Sequence, residues 1–121
     1  MEINPRIPGS IRASEESLGI NLLNLHINSF YLSKWRKVKK LLENIELNAF
    51  TTKLIVFASD DIDISKIKEI NNMEYIHDIT PPTSIIHKNS PVCTVLYKDS
   101  NFADSFFNAL KIADNIFRII K

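Results

Sequence analysis

The sequence predicts an α/β domain with a mixed sheet, in the order strand, helix, strand, short helix, strand, strand, helix. Three observations carry this. Residues 51–59, TTKLIVFAS, are a nearly continuous apolar and β-branched run of strand length. The segments SFYLSKWRKVKKLLENIE (29–46) and NFADSFFNALKIADNIFRIIK (101–121) repeat apolar residues at helical spacing. Between them, VCTVLYK (92–98) follows SIIHK (84–88) after NSP, a connection short enough for an antiparallel hairpin.

At 121 residues, with 45% hydrophobic and 24% charged, the chain has material for one folded core and not two. Residues 1–17 hold Pro5, Pro8, Gly9 and a Ser/Glu cluster without sustained period, and read as an arm or tail. Residues 18–121 are expected to form a single domain.

Within it, LGINLLNLHI suits a first strand over about 20–27, with a helix as the rival because the run is short and apolar. Asn28 or Ser29 offers an N-cap to the next helix. Its stripe is Tyr31, Trp35, Val38, Leu42 and Ile45, at steps of four, three, four and three. Lys34, Arg36, Lys37, Lys39 and Lys40 fan around the polar arc rather than along one line, which favours a solvated face over a nucleic-acid or acidic-partner patch.

The second strand spans Thr52–Ser59, with its apolar core at Leu54–Ala58 expected to be covered on both faces. A long crossover helix between the first two strands makes them parallel. Asp60, Asp61 and Asp63 then lead into ISKIKEI, a short helix, and capping is favoured over magnesium binding because no second acidic cluster completes a site.

Several chemistries are excluded. Gly9 and Gly19 are the only glycines, so no GxGxxG or GxxxxGK[ST] phosphate loop can be written. Cys93 is the single cysteine and lies in an apolar strand, which rules out a Cys-x-x-Cys pair and an internal disulfide. His26, His77 and His87 lack partners at metal-ligand spacing, and no GxSxG elbow is present. No cofactor, no metal and no enzymatic activity are expected. The net charge of +1 provides no global field toward nucleic acid or membrane, and no secretory or membrane-spanning run is visible, so a cytoplasmic protein is expected.

One stretch carries a resemblance. In DITPPTSIIH, residues 78–87, two prolines stand at the mouth of a strand. Pro82-Thr83, then Ile85-Ile86, then Pro91-Val92, with LNLHINSFYLSKWRKVKKLLENI upstream and an amphipathic C-terminal helix, are similar in layout to the KaiB-like family of circadian-clock and signalling proteins. The resemblance implies a thioredoxin-like three-layer fold of order β-α-β-α-β-β-α, a structural cis-proline at Pro82 and Thr83 with a cis bond between Pro81 and Pro82, homo-oligomers, and fold switching. It also implies a non-catalytic adaptor that docks a cytoplasmic signalling partner such as a kinase or ATPase. The place where thioredoxin-type enzymes keep their thiols, near Ser29 to Leu32, has no cysteine.

The second strand would then be an exposed edge able to pair with a partner, with Lys53, Asp60 and Asp61 as candidate contacts. The alternative from another class is an immunity or antitoxin protein whose Asp60, Asp61 and Asp63 face a basic toxin. Neither nucleic acid nor a membrane is expected as a partner.

Overall fold

The computed structural model describes residues 7–81 and 85–121, apart from the Ile64 side chain. The elements are α1 (Ile11–Leu18), α2 (Leu22–Ser29), α3 (Leu32–Glu43), β1 (Phe50–Phe57), α4 (Ile64–Ile70), β2 (Ile76–His77), β3 (Pro91–Asp99) and α5 (Phe102–Ile120). The strands form one sheet in the order β1-β3-β2, with both pairings antiparallel. The expected α/β class, the strand near 50–57, the short helix at 64–70, the strand at 91–99 and the C-terminal helix are all present.

The core lies between the sheet and α5. Ala109, Ala113, Ile116 and Ile120 follow one another at steps of four, three and four and are buried against Val56, Cys93 and Val95. Small residues at Ser105, Ala109 and Ala113 let the helix backbone approach the sheet closely, while Phe102 and Phe106 are exposed. Ile67 and Ile70 of α4 close the core from one side, each burial worth roughly 1.5–3 kcal/mol. Asn101 caps α5 by accepting the Ala103 N–H at 2.8 Å, and Asp63 caps α4 by accepting the Ser65 N–H at 2.8 Å.

Several expectations are corrected. Residues 22–29 are helical rather than a first strand. The Asn21 carboxamide accepts the Asn24 N–H at 2.6 Å, and Leu22 and Leu25 turn one half-buried face inward. A run with leucines three apart satisfies the helical period, and the cap commits the first turn. With no strand there, the expected parallel pair is absent, and β1 runs antiparallel to β3 instead.

The helix expected to start at Asn28 or Ser29 starts at Leu32, because α2 occupies those residues. Of its predicted stripe only Val38 is fully buried; Trp35 and Leu42 stay largely exposed. Of the expected strand at 84–88, the described residues 85–88 do not pair with β3. Ile86 makes one isolated bridge to Ile62, exchanging hydrogen bonds at 2.9 and 3.1 Å, and the place beside β3 is taken by Ile76–His77. Asn89, at φ 65°, turns the chain so that its N–H reaches the Ala58 carbonyl at 2.8 Å.

The segment read as an arm contains α1, which lies on the face of the sheet opposite α5. Gly19 closes it at φ 66°, a left-handed conformation suited to glycine. Pro82 and Thr83, and with them the expected cis bond, lie outside the described residues.

Candidate functional site

β1 is the outermost strand of the sheet, and among the described residues β3 is its one strand partner. Alternation along the strand sends Thr52, Leu54 and Val56 toward α5 and Thr51, Lys53, Ile55 and Phe57 to the other face. α1 covers only the first part of that second face. The Lys53 ammonium donates to the Gly9 carbonyl at 2.6 Å, tying the segment before α1 to the strand. Beyond it, Ile55 and Phe57 are 51% and 49% exposed, so the expected cover on both faces is incomplete.

At the start of β1 the edge is flanked by aromatic rings. Phe50 meets Phe102 edge-on with ring centres 6.2 Å apart, Phe102 stacks on Phe106 at 6.2 Å, and Phe106 meets Phe107 at 5.8 Å. Phe102 and Phe107 are exposed. The result is a strand edge bordered by apolar side chains at both ends, an arrangement that can take an added strand.

The predicted contacts do not converge. Lys53 sits in mid-strand, four positions or about 13 Å at strand rise before Phe57, and Asp60 and Asp61 follow beyond that far end of β1. The two acids form a latch on the segment before β3. Asp61 accepts the Lys88 backbone N–H at 2.9 Å on Oδ1 and faces His87 Nδ1 at 3.5 Å on Oδ2, while Asp60 lies 3.5 Å from the Lys88 ammonium. The Lys88 amide, with His87 beside it, holds the Asp61 carboxyl below the ordinary range, and the Ser65 backbone and hydroxyl do the same for Asp63. Among the described residues no cluster of three or more His, Cys, Asp or Glu could hold a metal.

A cleft of about 260 Å³ that sequence reasoning did not single out lies between α1 and the sheet. Arg12, Lys53, His77, Asp78 and Thr94 line it together with Ile7, Ile11 and Leu96. Tyr75 at φ 69° and Asp78 at φ 50° bracket β2 and fix the His77–Asp78 pair beside it. No sequence signal brings residues 12, 53 and 77 together, since their meeting depends on α1 folding back over the sheet. The cleft mixes cations with an acid, and Lys53 is already engaged, so it defines no charge class of ligand.

Cys93 is a core residue, as expected. Burial pushes its thiol up to about 11, which keeps it protonated near neutrality and unsuited to thiolate chemistry. Comparison with protein-family models, curated proteins and solved structures finds no match. The β1 edge is therefore interpreted from its own geometry.

Proposed function

We propose that this chain is a non-catalytic protein-interaction module that docks an extended partner segment along the free edge of β1. The observation that carries the proposal is the position of β1 at the end of the sheet with Ile55 and Phe57 exposed beside it. Natural edge strands of this length are usually shortened, charged or covered. Here Lys53 supplies one charge, and its ammonium is turned back to Gly9.

The finer form of the proposal is an adaptor of the KaiB-like kind, with thioredoxin-like layering and a cytoplasmic signalling partner. Its support is the spacing of Pro82-Thr83, Ile85-Ile86 and Pro91-Val92, together with α1 and α5 on opposite faces of the sheet. The helix at 22–29 weighs against it, because that layering begins with a strand. The toxin-blocking alternative is less favoured, since Asp61 and Asp63, though exposed, already accept hydrogen bonds from Lys88 and from Ser65.

The test is capture of partners by the intact chain and by Ile55→Lys/Phe57→Ser, identified by mass spectrometry. The expected result is a specific partner lost in the variant while circular dichroism and melting are unchanged. A partner retained at full strength by the variant removes the β1 edge from the proposal. A kinase or ATPase supports the adaptor form; a toxin domain whose capture fails with Asp60→Lys/Asp61→Lys supports the alternative.

A further inference from the structure

The α2–α3 hairpin is an excursion from the domain, closed at its base and apolar at its tip. At the base the Asn48 carboxamide donates to the Leu18 carbonyl at 2.8 Å, and the Asn48 and Ala49 amides donate to the Ser17 carbonyl at 3.0 and 3.1 Å. Between these points α2 and α3 pack chiefly on each other. Val38 is the one buried residue of the two helices, and the side chains of α2 are half-buried or exposed. Exposure peaks at the connecting turn, where Phe30 is 74% and Leu32 92% exposed, with Tyr31 and Trp35 also open to solvent. Such side chains at a convex tip, on two short helices, point to an outside partner.

Charge decides among partners. Residues 21–47 hold Lys34, Arg36, Lys37, Lys39 and Lys40 against Glu43 and Glu46, a balance of +3, where the whole chain nets +1. The Lys34 ammonium lies 5.0 Å from the centre of the Tyr31 ring, next to the tip. A second copy of the hairpin would bring like charges together. A nucleic acid would use the cations but leave Phe30 and Leu32 in water, and an apolar protein groove would seat the tip but leave the +3 charge beside it unmatched. An anionic bilayer accommodates both parts: aromatic and aliphatic side chains enter the headgroup boundary, and the surrounding cations meet acidic headgroups.

We propose that the α2–α3 hairpin anchors the protein on anionic lipid surfaces by inserting the Phe30–Leu32 turn. The proposal is independent of the β1 edge. It departs from the sequence expectation of no membrane, which rested on the net charge of +1 and on the lack of a spanning run. Among the described residues no helix is long and apolar enough to cross a membrane. Lying on a bilayer needs no such length.

Trp35 is the only tryptophan in the chain and adjoins the tip, so its emission reports insertion directly. The intact protein is mixed with vesicles of phosphatidylcholine alone and of phosphatidylcholine with phosphatidylserine. The expected result is flotation and a blue shift of Trp35 with the phosphatidylserine vesicles only, reversed by salt. Phe30→Ser/Leu32→Ser abolishes the shift with unchanged circular dichroism. Lys37→Gln/Lys40→Gln weakens partitioning about 25-fold, at roughly fivefold per cation, while Lys111→Gln in α5 leaves it unchanged. Equal binding to both vesicle types, no binding to either, or a Trp35 shift produced by single-stranded RNA or polyglutamate but not by vesicles overturns the proposal.

Discussion

Thr52 and Tyr97 are partners across the β1–β3 ladder, and the hydroxyl of Ser105 stands between them. It accepts the Thr52 N–H at 3.0 Å and donates to the Tyr97 carbonyl at 3.0 Å. A hydroxyl has one proton to give, so the 2.8 Å contact with Thr52 Oγ1 has threonine as its donor. A serine inside a helix is a weak helix former, yet here it is wholly buried and stitches α5 onto two strands at once.

Ser105→Ala is therefore expected to cost about 1–3 kcal/mol, because it leaves three polar groups of the ladder without their partner in a part-buried site. Urea denaturation measures it directly. A loss near zero would mean that the strands close up on themselves when the hydroxyl is gone.

The contact between Lys53 and Gly9 predicts a more local effect. A charged donor at 2.6 Å from a carbonyl is a strong hydrogen bond, but the site is partly open to water. Lys53→Met keeps the stem and removes the donor. Stability should fall by about 1 kcal/mol or less, while trypsin cleavage after Arg12 accelerates because the segment before α1 loses its tether. Unchanged cleavage would show that α1 is held by its packing alone.

The elements legible in the sequence were those with one strong period. Residues 50–57 and 91–99 are β-branched runs bounded by turn signals, and α5 keeps its apolar spacing for 19 residues. Residues 22–29 were harder because a short leucine-rich run fits either period, and the deciding signal was the Asn21 cap. Strand β2 is two residues long, flanked by positive-φ Tyr75 and Asp78, and no pattern marks so short a pairing. Among the candidate site residues, the edge position of the strand holding Lys53 was anticipated. The latch of Asp61 onto Lys88 was not, since it depends on a turn made 27 residues later.

That latch should respond to acid. The Lys88 amide lowers the Asp61 carboxyl, so its contribution is present above the ordinary carboxyl value of 3.8 and is lost as pH falls through the lowered one. The amide shift of Lys88 should hold through mildly acidic conditions and move only below about pH 4. Asp61→Ala should shift the amides of residues 87–90 at neutral pH while leaving those of β3 beyond Cys93 in place. If Lys88 is insensitive to both changes, the turn is fixed by the Asn89 and Ser90 contacts to Ala58 alone.

Cys93 should behave in the opposite sense, toward base. Its thiol is raised from an ordinary 9.0 to about 11 by burial at 2% exposure, opposite Val56 in the ladder. The unfolded chain ionises first, so the thiol's contribution to stability is intact below about pH 9 and declines as pH rises toward 11. In the native protein at pH near neutrality, a thiol-reactive dye should label Cys93 only at the rate of unfolding, and denaturant should make labelling immediate. Slow labelling follows from two barriers acting together, a protonated sulfur and a closed core. Raising pH toward the thiol's own value lifts the first and leaves the second. Labelling that accelerates in step with ionisation, without loss of the folded far-ultraviolet spectrum, would therefore place Cys93 at an accessible surface and break the packing of β3 against α5.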